Sequence, residues 1–81
     1  MPIPTSIQSL FAESLAVPAD KITPDLRYNG IPQWDSVAHM QLVMKLEKHF
    51  GVMMEPEDIL DLSSPAKAVE ILTRLGAKLD A

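Results

Sequence analysis

The apolar residues of this chain recur at three- and four-residue steps, and nowhere do they alternate with polar ones for more than four residues. A half-buried strand needs alternation and an amphipathic helix needs the 3.6-residue period, so the pattern points to an all-α fold. Ile7, Leu10, Phe11 and Leu15 draw one stripe, which predicts a helix over about 5–16 that Pro18 brings to an end. Thr5 and Gln8 have capping-box spacing, so Thr5 is the expected N-cap. Val37, Met40, Val43, Met44, Leu46 and Phe50 predict the strongest helix, over about 36–50. Asp35 stands where an N-cap carboxylate meets the positive end of the helix dipole, and Gly51 supplies the stop. Pro56 and the acids after it predict a short helix over about 57–62. Ser64 and Pro65 open a last helix over about 65–75 that Gly76 ends, and residues 77–81 are expected to fray.

Residues 17–35 show no sustained period and hold Pro18, Pro24, Gly30 and Pro32. Pro18 to Lys21 can make one helical turn. Connections in compact domains run to a median of about 4–6 residues, so a stretch this long is functional or disordered. Val17, Ile22, Leu26 and Ile31 are spaced through it like anchors on a core, which predicts an ordered loop. The expected architecture is a four-helix bundle of three long helices and one short one, with a long ordered loop between the first two.

At 81 residues the chain has room for one domain. A domain of this size buries only about 60–65% of its unfolded surface. Such a thin core argues against an enclosed substrate cavity and suits a binding or carrier module. Eleven acids against seven bases give −4, which disfavours a nucleic-acid partner. The chain has no cysteine, so it has neither disulfides, thiolate metal sites nor a thiol nucleophile of its own. An unstapled domain this small is expected in a reducing, cytoplasmic setting. The N-terminus lacks a basic region followed by an apolar one, so no signal peptide is visible, and no membrane-spanning run is present.

Catalytic patterns are scarce. His39 and His49 lie ten residues apart on one predicted helix, too far to share an ion, and both read as solvated histidines. His39 can share a face with Ser36, but that pair has no oxyanion hole or walled pocket. No glycine-rich phosphate loop occurs. What remains is Gln33-Trp34-Asp35-Ser36-Val37, where a long loop delivers a serine to the first turn of the strongest helix. A phosphate on that hydroxyl would meet the helix dipole and unpaired first-turn N–H groups. By itself the Asp-Ser pair also reads as a plain helix cap. Trp34 reads either as a docking residue or as a wedge between loop and bundle. Val37, Met40 and Met44 share a helix face that can make an adaptable partner contact, and Glu47 is placed with Asp35 and Trp34 in the same expected recognition surface.

The order of elements, Asp35-Ser36-Val37 at a fixed offset from Leu42-Val43-Met44, Leu46-Glu47 and Phe50, and then Glu55-Pro56-Glu57-Asp58, resembles the acyl carrier protein family from Ile7 to Leu75. The resemblance implies a four-helix bundle that is no enzyme. It implies a 4′-phosphopantetheine arm, taken from coenzyme A by a phosphopantetheinyl transferase and attached to Ser36. It also implies acyl-loading and acyl-using enzymes as partners, and a thiol that arrives with the cofactor. A monomer is expected. Cargo could lie between the helices, against Val43, Leu46, Ile59, Leu62 and Ile71, or stay outside a closed core.

Two departures narrow the expectation. From Ser36 to Phe50 the charges are Lys45, Lys48 and Glu47, a net of +1, whereas carriers of bulk fatty-acid synthesis are acidic there. The acidity has moved to Glu55, Glu57, Asp58 and Asp61. Both lysines are expected to face solvent, and a different charge map implies the partners of a specialised pathway. The loop has no Gly-Gly-x-Ser, which lowers the case for a peptide-synthetase domain, and the initial Met1 suggests a discrete protein. The competing reading is an unmodified helical domain that binds a partner through Val37, Met40 and Met44.

Overall fold

Helix caps, more than helix interiors, settle where each element begins and ends. The protein is described by a computed structural model over residues 3–79, so Asp80 and Ala81, the end of the expected tail, lie outside the described residues. Among them run α1 (Thr5–Leu15), a 3-10 turn (Ala19–Lys21), α2 (Ser36–Phe50), α3 (Pro56–Asp61) and α4 (Pro65–Arg74), with no strand.

The expected Thr5 cap is corrected. Pro4, at φ −53° and ψ 141°, takes the non-helical cap position and pushes Thr5 into the first turn. The Gln8 side chain then reaches forward, its Nε2 donating to the Ala19 carbonyl at 2.8 Å and tying α1 to the 3-10 turn. At its other end α1 stops at Ala16, which adopts a left-handed φ of 57°, while the Val17 N–H donates to the Ala12 carbonyl at 3.1 Å. The short helix starts one residue early because Pro56 fits the first helical position, and Leu62 caps it instead of belonging to it. Residues 77–79 do not fray. The Ala77 N–H donates to the Leu72 carbonyl at 2.9 Å, and Ala77 and Leu79 lie against the core.

That core is one cluster. Ile7, Phe11 and Leu15 come from α1, Leu42, Val43 and Leu46 from α2, and Ala68, Ile71 and Leu72 from α4. Ile22 and Trp34 enter from the loop, and Leu62 from the end of α3. The loop is pinned to the start of α4 by backbone bonds, Tyr28 N–H to the Ser63 carbonyl at 2.9 Å and Ala66 N–H to the Pro24 carbonyl at 3.1 Å. Glycine is required at position 30, where a Cβ would stand 2.8 Å from the Arg27 carbonyl oxygen.

Asp58, buried at the third position of α3, holds the last helices together. One carboxylate oxygen accepts from the Glu55 N–H at 3.1 Å, which closes a capping box, and the other binds the Arg74 guanidinium of α4. The Glu55 backbone bond, and after it Arg74, hold this carboxyl below the usual carboxylate range. A lowered folded-state value stabilises the protein above the ordinary carboxylate range, and that stability is lost as pH falls through the folded value. Wild type is therefore expected to unfold at higher urea than Asp58→Asn at pH 7. The gap should close as the two are titrated together below about pH 4. A gap that persists unchanged into acid would show that the ionised carboxylate contributes nothing.

Candidate functional site

Asp35 shapes the start of α2. Its backbone is extended, and its Oδ1 accepts from the Ala38 N–H at 2.9 Å, while its carbonyl takes the His39 N–H at 2.9 Å. The N–H groups of Ser36 and Val37 precede the first intrahelical bond and face outward. Ser36 is exposed at this point, so its hydroxyl stands at the positive end of a fifteen-residue helix. Beside it opens a cleft of about 280 Å³, lined by Tyr28, His39 and Met40 on one side and Ile59, Leu60 and Leu62 on the other.

Trp34 does not belong to a recognition surface. Its side chain is fully buried, set edge-on against Phe11 at 5.4 Å and against Tyr28 at 6.0 Å. It is the wedge between loop and bundle. An indole buried this completely must place its N–H, and the partner is His39, whose Nδ1 accepts from Trp34 Nε1 at 3.0 Å. Indole nitrogen only donates, so the imidazole proton sits on Nε2, which donates to the Ile59 carbonyl at 2.9 Å.

The reading of His39 as a solvated helix residue is thereby overturned. Its ring lies nearly coplanar with the indole beside it and meets Tyr28 edge-on at 4.9 Å. Both ring nitrogens are engaged, so His39 offers no base to Ser36, although both line the cleft. One signal for this was present. His39 heads the spacing that continues through Leu42, Val43 and Leu46, and a polar residue on a core stripe must have partners.

Val37, Met40 and Met44 are 66%, 46% and 65% exposed, and Leu60 of α3, which the sequence did not single out, is 85% exposed. Together they leave an apolar surface around Ser36. Glu47 is placed differently from its expected role. It is half-buried, and its Oε2 accepts from the Met54 N–H at 2.7 Å, which fastens the α2–α3 connection. Lys45 likewise does not simply face solvent, since it pairs with Glu13 of α1 at 3.2 Å. Asp58 is turned inward, so the unpaired charges left outside on these helices and their caps are Asp35, Lys48, Glu55, Glu57 and Asp61.

Ser36 is thus an exposed serine at a capped helix start, beside an apolar cleft in a small helical bundle. Over residues 5–72 the chain matches the family described as a phosphopantetheine attachment site. It is 33% identical over 66 residues to an acyl carrier protein of Lactobacillus johnsonii, covering 82% of each chain. Its fold matches the solution structure of a holo acyl carrier protein from Geobacter metallireducens with a TM-score of 0.78, at 21% identity, over 93% of this chain and 86% of the other. The chain belongs to the acyl carrier protein family: it bears a covalent phosphopantetheine, carries acyl groups on it and is not an enzyme. The alternative of an unmodified interaction domain gives way to this.

Glu47 provides a test of the local geometry. Losing a hydrogen bond to a charged acceptor costs about 1.5–3 kcal/mol, and the half-exposed site places Glu47→Ala near the lower figure. Urea unfolding should show that loss for Glu47→Ala and less of it for Glu47→Gln. Equal stability for wild type and Glu47→Ala would remove the structural role.

Proposed function

We propose that Ser36 is the residue that bears the arm. The carrying observation is its position, exposed at the first turn of α2 with free N–H groups behind it and the cleft beside it. The residues fit the group. The Ser36 and Val37 N–H groups can donate to the oxygens of a phosphodiester, and the Asp35 carboxylate is engaged by the Ala38 N–H, which leaves them open. In the loading step the Ser36 Oγ forms a bond to phosphorus as the pyrophosphate linkage of coenzyme A breaks. The nucleotide half leaves, and the hydroxyl proton passes to the transferase. When bound, the arm supplies the thiol on which acyl groups ride as thioesters.

The partner set belongs to this reading. Val37, Met40 and Met44 present the contact surface, Asp35 is part of what the transferase reads, and the enzymes served are those of a specialised pathway. Support for the last point is the charge map. Lys48 stands exposed on α2, and the only acid of that helix is fastened to Met54.

Intact mass after incubation with coenzyme A and a broad-specificity phosphopantetheinyl transferase should show one added phosphopantetheine, absent in Ser36→Ala. No gain where a control carrier is modified would overturn the assignment. Asp35→Asn, which can still cap, should keep the melting temperature and lose transfer rate, whereas equal rates would reject recognition of Asp35.

Lys48→Glu should leave stability within about 0.5 kcal/mol. It should also raise loading by a malonyl transferase of bulk fatty-acid synthesis. That gain should fade with added salt, because the screening length shortens to about 8 Å at physiological ionic strength. An unchanged rate at low salt would show that this charge does not set partner choice.

A further inference from the structure

We propose that His39 is a lock that shuts the bundle interior against cargo, so that this carrier holds short acyl groups in the surface cleft instead of long chains between its helices. The inference rests on the assignment of the arm to Ser36. The cleft beside that serine ends against His39 and Leu62, and what lies behind them is closed. Trp34, Leu42 and Leu46 have no exposed surface, and Leu62 has 1%. A chain moving inward from the cleft must therefore turn the imidazole aside or draw α3 away from α2.

Each route breaks a hydrogen bond of the His39 ring. Moving α3 separates His39 Nε2 from the Ile59 carbonyl. Turning the ring separates Nδ1 from Trp34 and takes from a fully buried indole N–H the acceptor it has. A stranded buried donor bears its full desolvation penalty, which a surface hydrogen bond would not. The ring also lies nearly coplanar with the indole beside it, with 26° between planes, and edge-on to Tyr28, so its rotation disturbs both. Asp58 binding Arg74 restrains α3 from its other side. The lock thus joins three separate elements, the loop, α2 and α3, through one side chain. An acyl group short enough to lie against Met40, Ile59 and Leu60 needs none of these contacts to open. A long chain would leave its remaining methylenes in water.

The test loads butyryl, octanoyl and dodecanoyl groups onto the full chain from their coenzyme A thioesters with a broad-specificity transferase, checks each product by intact mass, and measures melting temperature and methyl NMR spectra. For wild type, melting should vary by less than about 2 °C across the series, with the methyl signals of Leu42, Val43 and Leu46 unmoved. In His39→Ala, melting should rise with chain length by more than about 4 °C from butyryl to dodecanoyl, and those methyl signals should shift. His39→Gln presents an acceptor and a donor side by side and should restore the flat wild-type series, which simple loss of packing would not predict.

A wild-type melting temperature that climbs with chain length while core methyls move overturns the lock, and so does a folded His39→Ala with a flat series. Should His39→Ala not fold, the wild-type and His39→Gln series still decide, because either one climbing overturns the proposal. Absence of any mass gain overturns the Ser36 assignment and the lock with it. Correct mass gain with a length-dependent wild type overturns the lock alone.

Discussion

A loop of about twenty residues can be ordered without regular structure only if the polar atoms it buries are paired, and the indole N–H of Trp34 is where this bundle meets that condition. The ring itself provides the largest fully buried side chain of the core. Its burial draws the loop across the ends of α1 and α2, and the edge-on contact with Phe11 fixes the depth. None of this is favourable with the N–H left bare. His39 supplies the acceptor from the second turn of α2, and by doing so commits its other nitrogen to α3. One hydrogen bond therefore settles the path of the loop, the tautomer of the histidine and the seat of the short helix. Ser36 lies between the two partners in sequence, so its position follows from the same bond.

The helices were legible in the sequence because apolar spacing is a strong signal, and Asp35, Gly51, Ser64 and Pro65 mark their limits with residues whose conformational preferences are specific. Boundaries failed where an unusual residue does a common job. Ala16 takes the left-handed cap that glycine usually fills, and Pro4 takes a cap position without a side-chain acceptor. The loop anchors Ile22, Leu26 and Ile31 could be read as apolar residues in an aperiodic stretch. The direction of Trp34 could not, because a lone aromatic beside a helix start is equally suited to a docking surface and to a core. Only its neighbours in space distinguish the two.

Charge was the least legible property. Counting lysines and glutamates along α2 gives the right net sum but the wrong surface. Lys45 is tied to Glu13 on α1, Glu47 holds the Met54 N–H, and Asp58 turns inward to Arg74. An exposed pair such as Lys45–Glu13 adds at most about 1 kcal/mol, yet it mutes a charge that a partner would otherwise meet. Periodicity carries no information about which ionisable side chains find partners on other elements, so the outward charge map becomes readable only once the helices are placed.

The division of work within the bundle follows from its size. A core this thin cannot be loosened cheaply, because each apolar side chain in it touches much of the rest. The long helices α1, α2 and α4 supply nine of the thirteen buried apolar residues, whereas α3 contributes little beyond Leu62 and is held chiefly by polar bonds at Glu55, Asp58 and Ile59. Asp58 and Glu55 hold it to α4 and close its start, while the Ile59 carbonyl binds it to His39 of α2. The face around Ser36 is edged by apolar side chains that the core does not use, with Val37, Met44 and Leu60 left outside. On the proposed assignment of the arm to Ser36, meeting partner enzymes calls for a fixed serine and a rim that the core can spare. Here the fixed part comes from the Asp35 cap and the Trp34 wedge, and the replaceable part from side chains that the core does not use.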